Sequence, residues 1–134
     1  MRAEIEKKMK ETADYIFRHP EISEQEVQSS RALAAFLEEE GFALSWGIAG
    51  FETAFLAQWG QGKPIIGFLA EYDALPGMGQ EVCSARRPSG GPGHGCGHNL
   101  LGTACAGAAC ALKERMEKEG LSGTVRVYGC PAEE

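Results

Sequence analysis

Apolar positions recur every three to four residues at the start of the chain: Ile5, Met9, Ala13, Ile16 and Phe17 share one side, with charged residues between them. That spacing predicts a helix with one buried face, ending near Arg18 ahead of Pro20. A second such stretch puts Val27, Ser30, Leu33, Ala34 and Leu37 on one face and meets a stop at Gly41. Ser23 and Glu26, three residues apart, carry the signature of a capping box at its start. From Phe42 the period changes. FALSW, FETAFLAQW and PIIGFLAEY, separated by residues 47–50 and 60–63, read as strands. The run at 65–70 is apolar on both faces and is expected to be the central strand of a sheet, covered on both sides. Residues 74–98 form a Pro/Gly-rich connection without periodicity, a length that in compact domains marks a functional or disordered loop. Residues 99–119 read as a helix packed on one face of the sheet, and 123–130 as a further strand. The order helix, helix, β block, helix, strand predicts an α/β fold: a layered sheet with helices packed on it.

Composition bounds the partners. With 134 residues, 43% hydrophobic and 24% charged, the chain can bury the core of one domain. The net charge of −6 argues against nucleic acid, whose phosphates need clustered Lys and Arg. The N-terminal MRAEIEKKMKETADYIF lacks the apolar core of a secretory signal, and no window approaches the roughly 20 apolar residues that span a bilayer. A cytoplasmic protein with no membrane partner is expected. The cysteines (Cys83, Cys96, Cys105, Cys110, Cys130) match no small-protein disulfide framework, so reduced thiols are expected.

Chemistry concentrates in three segments. GPGHGCGHN, residues 91–99, lies between the apolar strand and the next helix, at the edge where open α/β sheets collect ligands. Phosphate binding fits poorly: there is no G-x-x-x-x-G-K-[ST], and aligning G-x-G-x-x-G on Gly93 and Gly95 puts His98 in place of the third glycine. What remains is Cys96 and His98, donors that zinc prefers, among glycines that let the backbone wrap a small ion. The positive end of the following helix would favour the Cys96 thiolate. The bland alternative is a loop cysteine with no role. The second segment is GCPAEE, where Glu133 and Glu134 end a strand. Adjacent strand residues face opposite ways, so the pair can divide its work only if the backbone bends. One carboxylate could then bind a metal while the other handles the water whose pKa the ion lowers to about 7, the division that amide hydrolysis needs. Alternatively the pair is a solvated acidic tail. In the third segment, EYDALP, Asp73 either fixes the tautomer of a ligand histidine or caps the turn before Pro76.

Taken in order, RHPEIS, AEYDALPGMG, PGHGCGHNLLGTACAGA and GTVRVYGCPAEE resemble the zinc-dependent amidohydrolases and exopeptidases that include aminoacylase, carboxypeptidase G, the indole-acetyl-amino-acid hydrolases and the aminobenzoyl-glutamate hydrolases, most of all the B-subunit branch of the last. The resemblance covers nearly the whole chain. Carried over by position, it implies Cys96, His98 and Glu134 as metal ligands, Glu133 as general base and Asp73 as support behind the ligands. It implies Zn2+, with Mn2+ as an alternative, in a two-metal site of the full-length protein. It also implies an N-acyl or N-aroyl amino acid substrate such as aminobenzoyl-glutamate, and a homodimer or hetero-oligomer. Other branches carry His-x-Asp where this chain has Glu71-Tyr72-Asp73, which leaves the part of Glu71 open. Family members are longer, with a lid and dimerisation domain and further metal-binding histidines, so residues 1–134 are expected to be the N-terminal part of a catalytic domain and inactive alone. His19 is expected to cap a turn before Pro20, and His94 to line the loop. Cys105 and Cys110 are expected to pack in the core, and Trp46, Trp59 and Tyr72 to be core or edge residues. Two other readings stay open: a non-catalytic metal- or partner-binding α/β domain, and a thiol redox protein using Cys96, against which stands the lack of C-x-x-C.

Overall fold

Three helices and four strands follow one another in a computed structural model that describes residues 2–134. They are α1 (Ala3–Arg18), α2 (Val27–Glu39), β1 (Ala43–Trp46), β2 (Phe55–Gln61), β3 (Ile65–Glu71), α3 (His98–Glu119) and β4 (Gly123–Cys130). The periodic segments thus fold as their spacing predicts. The connection at 74–97 contains only isolated bridges, Ala74 with Ile22, Leu75 with Gly93 and Gln80 with Pro88.

The sheet order is β1-β2-β4-β3, antiparallel except for the parallel pair β3 and β4, which α3 connects. All three helices lie on the face that carries Phe55, Ala57, Ala70, Val125 and Val127. With Ile5, Leu33, Leu37, Ala106 and Cys110 these form one core. Each fully buried Leu, Ile, Val or Phe side chain contributes about 1.5–3 kcal/mol, which the small residues of α3 assist by letting that helix lie close to the strands.

Two expectations are corrected here. Residues 65–70 are not the central strand. β4 occupies that place, β3 is at the edge, and on its outer face Ile65 and Leu69 are 50% and 62% exposed. The apolar run announces a strand that favours cover, but pairing is decided by β4, whose buried Val125 and Val127 fit between β2 and β3. The capping box is also absent: neither Ser23 nor Glu26 caps α2. Glu21 does so, accepting the backbone N–H groups of Gln28 and Ser29 at 3.0 and 2.8 Å and the Ser29 hydroxyl at 2.8 Å. A carboxylate on those first-turn donors also sits at the positive end of the helix. His19 closes α1 as expected, its Nδ1 2.8 Å from the Tyr15 carbonyl and its ring stacked on Tyr15.

Candidate metal and catalytic site

Four stretches of chain meet at the carboxyl ends of β3 and β4. Tyr72 is buried after β3, stacked on Phe55, and its hydroxyl donates to the Thr53 carbonyl at 2.7 Å. Burial and the neighbouring Glu26 carboxylate push its phenol above its ordinary pKa. This anchor turns the chain so that Asp73, also fully buried, points toward the start of α3. The segment at 21–23 runs alongside, because the Ala74 N–H donates to the Glu21 carbonyl at 2.8 Å.

Asp73 is the hub. Its Oδ1 lies 2.9 Å from His98 Nδ1, while Oδ2 accepts the Glu134 N–H at 2.9 Å and the Ser23 hydroxyl at 3.3 Å. Of the two roles open to it in the sequence, the contact with His98 is the one formed. A hydrogen bond to the Asp73 carboxylate orients the ring through Nδ1 and turns Nε2 toward the open side of the site. Nε2 faces three carboxylates: Glu71 at 3.1 Å, Glu133 at 3.6 Å and Glu134 at 3.8 Å.

Gly97, with φ +92°, lets the chain turn into α3 so that Cys96 and His98 flank the same space. Gly93 has a packing task of its own in this loop. A Cβ on Gly93 would lie 2.2 Å from the Met78 carbonyl oxygen, so this position allows the loop to close on residues 78–79. The Cys96 thiol stands under opposing influences. Although Cys96 is exposed, the surrounding protein removes enough water from it to push its pKa up, and the Glu134 carboxylate acts in the same direction against the backbone N–H groups that pull it down. One of those N–H groups is that of His98 at the start of α3, which acts toward the thiolate. A cation beside Glu134 would reverse that balance.

His94 is buried with neither ring nitrogen hydrogen-bonded, and burial lowers its pKa. It lines a cavity of about 430 Å³ between the end of α1 and the 78–95 loop, in keeping with a loop-lining role. Cys110 is buried in the core, and Cys105 is half-buried with its thiol 3.1 Å from the Leu69 carbonyl.

Cys96, His98 and Glu134 offer ligand atoms within 4.8 Å of one another, and so do Glu71, His98 and Glu133. None of the three glutamates pairs with a Lys or Arg among the described residues. Converging carboxylates repel one another unless a cation or proton lies between them. A sulfur, an imidazole nitrogen and carboxylate oxygens are donors suited to zinc and compatible with Mn2+, so the residues present fit a divalent ion.

No family model matches the chain. It is 50% identical over 125 residues to the B-subunit of p-aminobenzoyl-glutamate hydrolase from Escherichia coli (strain K12), covering 91% of this chain and 26% of that protein. It is 38% identical to Xaa-Arg dipeptidase of Homo sapiens, covering 89% of this chain and 28% of that one. The chain therefore spans about a quarter of the length of these relatives. The fold matches a Bacillus subtilis dinuclear metal binding peptidase from the M20 family with a TM-score of 0.80 and 28% identity, over 98% of this chain and 36% of that one. This chain is a homologue of the M20 family peptidases.

In this M20 homologue two site residues escape sequence reasoning, Ser23 and Glu26. Ser23 donates to Asp73. Glu26, fully buried, accepts the Ala132 N–H beside the two terminal glutamates. Both read as helix caps because the 21–26 segment carries capping residue types, whereas Glu21 alone performs that task. Glu71, whose part the sequence leaves open, stands closest of the three carboxylates to His98 Nε2.

Proposed function

We propose that this M20 homologue contributes the metal-binding and proton-transferring half of a hydrolase site that cleaves the amide bond of N-acyl or N-aroyl amino acids such as aminobenzoyl-glutamate. The observation that carries this reading is the convergence of Glu71, Glu133 and Glu134 on His98 Nε2, with Asp73 holding Nδ1. Cys96, His98 and Glu134 would hold the ion, and Glu71 would take part in a second site. A bound Zn2+ or Mn2+ would supply the Lewis acidity that polarises the amide carbonyl and makes water acidic enough to attack near neutral pH.

The two terminal glutamates divide the work by exposure. The Glu134 side chain is 23% exposed, and its amide is fixed by Asp73. The Glu133 side chain is 52% exposed and free to meet water and substrate. Glu133 takes a proton from the attacking water as oxygen bonds to the carbonyl carbon. It then delivers that proton to the amide nitrogen as the carbon–nitrogen bond breaks, giving a carboxylic acid and a free amine. Asp73 keeps His98 in one tautomer throughout.

The substrate follows the hydrolase with 50% identity, and that relative's designation as a B-subunit supports an assembly of more than one chain. Residues 1–134 are on this reading part of a catalytic domain. No helix among the described residues is long and apolar enough to cross a membrane, and with five free cysteines among them a cytoplasmic setting is the one proposed.

Metal content and turnover of variants test the assignment. Cys96→Ala and His98→Ala should each lose bound Zn2+ in this chain. In a polypeptide of the relatives' length, Glu133→Gln should keep the metal and lose aminobenzoate release by about 10²–10⁴-fold, the usual contribution of a positioned acid–base group. Full turnover in Glu133→Gln would remove the base assignment, and unchanged metal in both loop variants would remove the metal site.

A further inference from the structure

Glu26 is a glutamate with no solvent exposure and no Lys, Arg or His partner among the described residues. Burying a carboxylate without a cation is costly unless several donors reach it, and here they do. Its Oε1 accepts the Glu24 N–H at 3.0 Å and the Ala132 N–H at 2.8 Å, and its Oε2 accepts the Thr53 hydroxyl at 3.3 Å. Ala132 itself has φ +55°, the left-handed region that a residue with a Cβ enters only at an energetic cost. Something must hold it there, and the Glu26 carboxylate grips its amide.

The neighbouring clamp is Asp73, which accepts the Glu134 N–H at 2.9 Å. Two buried carboxylates from distant parts of the chain thus hold alternate amides, 132 and 134, and residue 133 is suspended between them. We infer that Glu26 is a positioning residue: together with Asp73 it fixes the backbone on both sides of Glu133 and so directs the Glu133 and Glu134 carboxylates toward His98. That this matters for proton transfer rests on the role proposed above for Glu133; the clamp itself does not. The bend also explains how two adjacent residues after a strand come to face one point. The left-handed step at 132 breaks the alternation that β4 would otherwise impose.

The arrangement makes side-chain reach and acceptor count decisive, rather than charge. In Glu26→Gln the amide oxygen still accepts Ala132, and the NH2 group can donate to the Thr53 hydroxyl. In Glu26→Asp the carboxylate is one methylene too short to reach Ala132, and in Glu26→Ala it is gone. Leaving the Ala132 N–H without its acceptor is expected to have on the order of a tenfold effect or more.

The experiment is amide hydrogen exchange on the 134-residue chain, with a Zn2+ titration of each variant. In Glu26→Ala and Glu26→Asp, Ala132 should exchange about tenfold faster or more and Zn2+ affinity should fall about tenfold, while Val125 and Val127 in β4 keep their protection. Glu26→Gln should restore both readings to within about threefold, since its acceptor remains. Unchanged Ala132 protection in a folded Glu26→Ala or Glu26→Asp would overturn the inference. So would a Glu26→Gln variant as damaged as Glu26→Ala, because charge rather than grip would then be the cause. If Glu26→Ala does not fold, Glu26→Asp against Glu26→Gln decides. Absence of Zn2+ uptake by the unchanged chain would overturn the metal-site reading alone, and the exchange of Ala132 would still judge the clamp.

Discussion

Gly102 and Glu71 are so close that a Cβ on Gly102 would lie 2.5 Å from the Glu71 carbonyl oxygen. The contact joins α3, one turn after His98 at its start, to the end of β3, which carries Glu71. Backbone cannot give way as a flexible side chain does. Gly102→Ala should therefore push α3 off the strand end and separate His98 from Glu71. Overpacking costs about 1–3 kcal/mol, against about 1 kcal/mol that alanine gains in helix propensity. A lowered denaturation midpoint together with weaker Zn2+ binding is the expected result, and a variant unchanged in both would show that the helix has room to move.

Glu21 should prove to be the cap of α2. Replacing it by Ala leaves the Gln28 and Ser29 amides without their acceptor and should cost about 0.5–2 kcal/mol. Ser23→Ala should leave the helix start intact, because that hydroxyl is directed at Asp73. Chemical denaturation of the two variants, with helix content followed by circular dichroism, separates the positions; equal losses would contradict the assignment of Glu21.

Asp73→Asn keeps the shape of the hub but presents an NH2 group where an oxygen now accepts. Either His98 loses its acceptor or the Glu134 and Ser23 donors lose theirs. Outer-shell changes of this kind weaken metal binding about 10–100-fold. Calorimetric titration with Zn2+ measures it, and an affinity within twofold of the unchanged chain would contradict the placement of Asp73 behind His98.

Alkali should destabilise the protein through its buried thiols. Burial, reinforced by Glu40, raises Cys110 from 9.0 to about 12. The unfolded chain loses that proton near pH 9 while the folded chain keeps it, so stability is complete below the unfolded value and falls as pH rises from about 9 toward 12, by at most about 1.4 kcal/mol per pH unit. Cys105 and Cys130 are raised by burial as well and add to the slope. Unfolding free energies measured from pH 8 to 11 should fall, and less steeply in Cys110→Ala. Identical slopes would locate the effect elsewhere.

The helices, the strands and the long connection were legible because each depends on local period and on Gly and Pro placement. Cys96, His98, Glu133 and Glu134 could be singled out because few other donors occur near a sheet edge. Strand order was not legible. An apolar run such as 65–70 records how much cover a strand favours but not which neighbour arrives, and β4 has the alternating Val125 and Val127 that fit the gap. Nor could the tasks of Glu21, Ser23 and Glu26 be told apart. All three are capping residue types within six positions, and what separates them is partners as much as 106 residues away in sequence.

Of the four strands described, β4 is the last in sequence, yet it lies inside the sheet between β2 and β3. β2 and β3 are separated by a short turn, yet they never pair; the slot between them waits for residues that follow some sixty positions later, as the bond from Thr124 to the Gly62 carbonyl records. Loop closure over such a separation precedes any gain in contacts, which places the chain among slower-folding topologies. On the ribosome, a nascent chain that has emerged only through α3 has three strands, of which β1 and β2 can pair while β3 has no neighbour. Glu26 and Asp73 then have no 132–134 amides to hold, so this clamp forms only when β4 docks between β2 and β3.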